Sequence, residues 1–140
     1  MSAGTVPSVH HVVLCVRPDN LDDAAALWRT MGYEFIEVDL VEEGLRVLLD
    51  WDRGIELLTP TSTGGSLSEQ FRSFLDERGE GVWSVVVRVA DVDATLSSLD
   101  AHGVQVRYLQ RRDLGGARLD EADLAPVHGM PITLLATDLP

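Results

Sequence analysis

The stretches VHHVVLCVRPDNLDDAAALWRTMGYEF, residues 9–35, and VWSVVVRVADVDATLSSLDAHGVQV, residues 82–106, are two copies of one pattern. In each, a β-branched run leads to an aspartate, an amphipathic stretch, a glycine and a second β-rich run. Gly32 and Gly103 lie 71 residues apart, and His11 and Ser84 lie 73 apart, so the register drifts by only two residues. Such constancy points to duplication of one supersecondary unit. A chain built this way is confined to folds made of two similar modules.

Parity defines the strand faces. Val12, Leu14 and Val16 alternate with His11, Val13 and Cys15, and in the second copy Val85, Val87 and Val89 alternate with Ser84, Val86 and Arg88. The first helix is expected to start at an Asp19 or Asn20 cap, to carry Leu21, Ala24, Ala25, Trp28 and Met31 on its apolar stripe, and to end at Gly32. The second is bracketed by Asp91 and Gly103 and carries Val92, Leu96 and Leu99. Extended segments follow at 33–41, 44–50 and 54–59, then at 104–111, about 115–122 and 130–137. Each half therefore reads βαβββ, with module one over about 8–60, a linker and short helix over 61–80, and module two over about 81–138. The linker starts Gly/Ser-rich, and Ser66 and Glu69 are spaced as a capping box ahead of Leu67, Phe71, Phe74 and Leu75. The charged segment QRRDLGGARLDEAD reads as a solvated hairpin or a mobile loop around its Gly-Gly pair.

With 140 residues, 45% of them hydrophobic, the chain suits one domain with a sizeable core. Its net charge of −12 argues against nucleic acid or an anionic membrane as partner. A small molecule or another protein remains. The start MSAGTVPSVHH lacks the regions of a signal peptide and no apolar run is long enough for a membrane span, so a cytoplasmic protein is expected. Cys15 is the only cysteine, which rules out an intrachain disulfide.

The segments HHVVLCV, GIELLTP, SEQFRSFLDERGEGVWSVVVRVADVDA and HGMPITLL, together with the duplicated βαβββ pattern, resemble the vicinal oxygen chelate superfamily. This superfamily includes glyoxalase I, extradiol dioxygenases and bleomycin-resistance proteins, and the closest pattern is that of methylmalonyl-CoA epimerase. The resemblance implies an α+β fold in which two βαβββ modules form a curved mixed sheet around a central cavity, commonly in a homodimer. It also implies four metal-ligand positions, which fall on His11, Glu56, Ser84 and Thr133. Only two of these are good ligands, and divalent ions need several N or O donors. A second epimerase carboxylate would fall on Val47. No metal and no other cofactor are therefore expected, and His11 with Glu56 is a residual half-site.

Parity adds Val13, Cys15, Leu58, Val86 and Leu135 to the cavity side, giving an apolar pocket with few polar groups. Arg88 shares a face with Ser84 and either pairs with an anionic ligand group or points to solvent or an acidic neighbour. His11 and Glu56 either bond to each other as a remnant or act together, with Glu56 as general base tuned by His11. Two functions follow. One is a metal-free, bleomycin-resistance-like protein binding a small organic molecule. The other is a lyase or isomerase of the glyoxalase or epimerase type, with or without a divalent metal. Trp51 and Trp83 read as packing aromatics or as borders of a ligand or of the dimer interface, His128 as a loop residue near the last strand, and His10 and His102 as structural or solvated.

Overall fold

A computed structural model describes residues 6–61 and 65–139; the side chains of Ser66 and Leu114 also lie outside the described set, and with Ser66 the expected capping box. The chain divides into two compact units, one spanning His11–Trp83 and the other joining Ser84 onward to the residues before His11. The elements are β1 (Ser8–Cys15), α1 (Leu21–Thr30), β2 (Ile36–Leu40), β3 (Leu45–Asp50), β4 (Ile55–Pro60), α2 (Ser66–Arg78), β5 (Gly81–Arg88), α3 (Val92–Leu99), β6 (Val106–Leu114), β7 (Ala117–Leu124) and β8 (Ile132–Thr137). Among the described residues no helix is long and apolar enough to cross a membrane.

In the first unit the strands run in the order β2-β3-β4-β1, antiparallel except for the parallel pair β1/β4. In the second they run β5-β8-β7-β6, antiparallel except for β5/β8. The registers repeat as well. Val13 pairs with Glu56 and Cys15 with Leu58, while Val86 pairs with Thr133 and Arg88 with Leu135. His11 and Ser84, Glu56 and Thr133, and Cys15 and Arg88 therefore occupy equivalent slots.

Alternation sends the other strand faces under the helices. Leu21 and Ala25 of α1 pack on Leu48, Ile55 and Leu57, with Val12, Leu14 and Val16 beside them. In the second unit Val92 packs with Val89, Ala122, Leu124 and Leu134, and Val87, Leu96 and Leu99 border that cluster. Met31 departs from the expected stripe and is 57% exposed, because α1 ends at Thr30.

Caps differ between the copies. Asp91 accepts the N–H of Ala94 at 3.0 Å as the α3 cap, and Gly103 closes the following turn in the left-handed region at φ 72°. Ahead of α1, Pro18–Asn20 form a 3-10 turn, and Asn20 makes no side-chain cap. Its Nδ2 donates instead to Glu80 Oε2 at 2.8 Å. The segment read as a solvated hairpin or loop forms the long pair β6/β7, in which Leu114 faces Ala117 across Gly115 and Gly116, both at positive φ. A two-residue turn of that hand matches strand twist, and only glycine adopts it freely at both positions.

Candidate functional site

His11, 3% exposed on β1, places Nε2 3.2 Å from Glu56 Oε1 on β4. The same oxygen accepts the indole N–H of Trp51 at 3.2 Å, and the His11 and Trp51 rings stack with centroids 4.9 Å apart and 25° between planes. Trp51 stands in the β3–β4 turn, which the buried carboxylate of Asp50 fixes by accepting the N–H of Glu34 at 2.8 Å, the N–H of Arg53 at 3.3 Å and Arg53 Nη1 at 3.0 Å. Burial raises the Asp50 carboxyl, but these hydrogen bonds and the Arg53 charge outweigh it, and the group sits below its ordinary range. The two expected site residues thus come together as a pair, with Trp51 as a third member that parity on β1 and β4 does not reveal.

In the second unit Ser84 and Thr133 also meet. Ser84 is fully buried, and its Oγ lies 2.7 Å from Thr133 Oγ1. Thr133 donates to Asp123 Oδ1 at 3.1 Å, which leaves Ser84 as the donor to Thr133. Asp123 on β7 faces Thr133 in register, is 8% exposed and takes Arg107 Nη2 at 3.1 Å. Neither Asp123 nor Arg107 stands out in the sequence: Asp123 lies in a run that reads as solvated charge, and Arg107 is a single charge within an extended segment. The signal available was parity in β7, which puts Asp123 on the same face as Leu119, and both are buried.

Burial holds the Asp123 carboxyl above its ordinary value of 3.8, against the weaker downward pull of Arg107 and Thr133. Since the folded value is the higher one, the linked stability is fully present below that ordinary value and is lost as pH rises through the raised one. Asp123→Asn keeps an oxygen for Thr133 and cannot ionise. Thermal melts are expected to show the variant gaining on the unsubstituted protein as pH rises above the ordinary value of 3.8. A difference that stays flat over that rise would mean that Asp123 titrates like an exposed carboxylate.

Arg88 is half-buried and donates from Nη2 to the Thr137 carbonyl at 3.0 Å. Val13, Cys15, Leu58, Val86 and Leu135 are all buried. Burial and the Glu80 carboxylate, opposed by Arg17, push the Cys15 thiol up to about 12, so it is neutral and acts as a packing group.

Of the four positions that the resemblance marks as metal ligands, only His11 and Glu56 carry good donors for a divalent ion. Among the described residues no three or more His, Cys, Asp or Glu side chains are grouped as ligands. Glu56 Oε1 already accepts the Trp51 indole N–H and lies 3.2 Å from His11 Nε2, and the equivalent slots Ser84 and Thr133 carry neutral hydroxyls that bond to each other.

The sequence profile of the Glyoxalase/Bleomycin resistance protein/Dioxygenase superfamily matches residues 10–117. No curated protein matches. Among solved structures, hypothetical protein BH1468 from Bacillus halodurans C-125 is 20% identical with a TM-score of 0.76, covering 97% of this chain and 98% of that one, a likeness of fold. A variant of the Streptomyces coelicolor methylmalonyl-CoA epimerase in complex with 2-nitronate-propionyl-CoA is 25% identical, TM-score 0.72, covering 96% of this chain and 100% of that one. The Mycobacterium tuberculosis methylmalonyl-CoA epimerase is 27% identical, TM-score 0.66, covering 97% and 92%. With the duplicated βαβββ units and their matching registers, the chain has the α+β glyoxalase-like fold and belongs to the glyoxalase/bleomycin resistance/dioxygenase superfamily.

Proposed function

We propose that the chain is a metal-free, cytoplasmic binding protein that holds a small organic molecule against the strand face carrying His11, Val13, Cys15, Glu56 and Leu58. The observation that carries this reading is the use made of Glu56, whose Oε1 serves His11 and Trp51 together instead of standing open for a metal. A carboxylate beside stacked rings suits a flat aromatic or cationic molecule. The net charge of −12 favours the cation. The equivalent face of the second unit, with Ser84, Val86, Arg88, Thr133 and Leu135, is assigned to ligand contact as well. A homodimer belongs to the same proposal, supported by Ile36 and Val41, 71% and 74% exposed at the start of β2 and just beyond its end.

One preparation tests these points. Elemental analysis is expected to find only traces of divalent metal, sedimentation a dimer, and thermal melts a raised midpoint with one or more members of a panel of aromatic cations. Roughly one zinc, cobalt, nickel or manganese per chain after dialysis would place the protein among the metal-dependent members.

A second reading, a metal-independent lyase or isomerase, is favoured by Asp123. A buried carboxylate 3.1 Å from the Thr133 hydroxyl supplies a proton acceptor next to the slot where the resemblance expects one. In that reading Asp123 takes a proton from carbon beside a carbonyl and returns it, and Glu56 with His11 forms a second acid–base pair. Deuterium incorporation from heavy water into an acyl-CoA ester, lost in Asp123→Asn, would select this reading over binding alone.

A further inference from the structure

A cleft of about 580 Å³ lies wholly within the His11–Trp83 unit, lined by the 3-10 turn after β1, the facing ends of β3 and β4, and α2. It falls in the size range of small-molecule sites. Thr59 on its wall pairs in register with Arg46, three positions along β4 from Glu56 and therefore on the opposite strand face. It is thus separate from the site discussed above.

Three of the chain's 11 basic residues, all of them arginines, line this cleft: Arg17, Arg46 and Arg72. Arg46 is committed to Glu37 at 3.2 Å. The other two are held by neutral groups. Arg17 Nη2 donates to the Leu75 carbonyl at 3.2 Å, and Arg72 Nη1 donates to the Thr61 carbonyl at 2.8 Å and to Ser68 Oγ at 2.6 Å. The Glu80 carboxylate is occupied by the Arg17 backbone N–H at 2.9 Å and by Asn20. Each guanidinium has five N–H donors, so both keep several beyond those uses. The second observation is Thr59 itself. It is 1% exposed, and its hydroxyl oxygen has no hydrogen-bond partner among the described residues. Buried polar groups are nearly always partnered, so a hydroxyl with no protein partner at the wall of a cleft is open to a ligand atom.

We propose that this cleft binds the phosphate group of a small organic molecule, held by Arg17 and Arg72 with Thr59 beneath. Two guanidinium forks and a hydroxyl exceed what one carboxylate can accept, whereas a phosphate dianion presents three oxygens to them. Asp19 and Asp76 also line the cleft, but both are exposed and screened by water. They weaken binding without cancelling it.

The probes are inorganic phosphate, ribose 5-phosphate, succinate, and sodium chloride at matched ionic strength, read by calorimetry and thermal melts on the full chain. Both phosphates are expected to bind and to raise the melting midpoint beyond the salt control, with ribose 5-phosphate the tighter of the two because the cleft is far larger than the ion. Arg17→Gln and Arg72→Gln should each weaken phosphate by about tenfold or more, the loss of a charge-assisted contact. Thr59→Val should melt higher than the unsubstituted protein without phosphate and gain less from it. Asp76→Asn should bind phosphate more tightly. Arg72 also braces Thr61 and Ser68; if its variant fails to fold, the exposed Arg17→Gln decides the matter. A phosphate effect no larger than that of chloride, equal binding of succinate, or folded Arg17→Gln with unchanged affinity would each overturn the proposal.

Discussion

Glu56→Ala is expected to lower the unfolding free energy by about 2–3 kcal/mol, the range for losing a charged acceptor that serves two donors. His11 and Trp51 both lose Oε1, and the stacked rings lose the group that sets their angle. Glu56 itself keeps modest contact with water, with a side chain 14% exposed, so the carboxylate is not a deeply stranded charge and the cost stays below that of a fully buried ion pair. Glu56→Gln should fall between, since it keeps an acceptor oxygen and loses the charge. Urea denaturation checks this by a lower midpoint at unchanged slope. Under the binding proposal the same alanine variant also loses the midpoint rise produced by an aromatic cation. An alanine variant as stable as the parent would mean that the pair contributes nothing to the fold.

Leu57→Ala should cost more, about 3–4 kcal/mol. Leu57 is 1% exposed, sits one residue after Glu56 on the face that α1 covers, and packs with Leu21, Ala25, Leu48 and Ile55. Removing its side chain leaves a void that helix and strands close only in part. Met31→Ala, 57% exposed just beyond the same helix, should change stability by less than about 0.5 kcal/mol. The contrast makes the pair of melts a test of which strand face is core. Similar losses in both variants would mean that α1 is seated differently.

The duplication was readable because period-two alternation and terminal glycines are local signals, and both recur at nearly constant spacing. They pair His11 with Ser84, whereas the slots of Glu56 and Thr133 follow only from the resemblance to the superfamily. Asp123 was not readable. Its run, LDEAD, looks solvated, and only the pairing of β7 with β8 determines that Asp123 turns toward Thr133 while Asp120 stays partly exposed. Trp51 escaped for a related reason, since its position depends on a turn that Asp50 organises through three hydrogen bonds. The expected Asn20 cap failed because a distant carboxylate, Glu80, captured that side chain. Local pattern fixes which residues form strands and helices. Long-range partners decide what the polar ones do.

The matching registers of β1/β4 and β5/β8 have a consequence for redesign. Each slot on the repeated frame already holds two different chemistries in one chain: imidazole and hydroxyl at His11 and Ser84, carboxylate and hydroxyl at Glu56 and Thr133, thiol and guanidinium at Cys15 and Arg88. Equivalent slots of the two halves thus carry different occupants on matching registers. Exchanging residues between the halves therefore moves each polar group onto a strand pair of the same register, and the protein carries within itself a small alphabet for rebuilding its own polar groups.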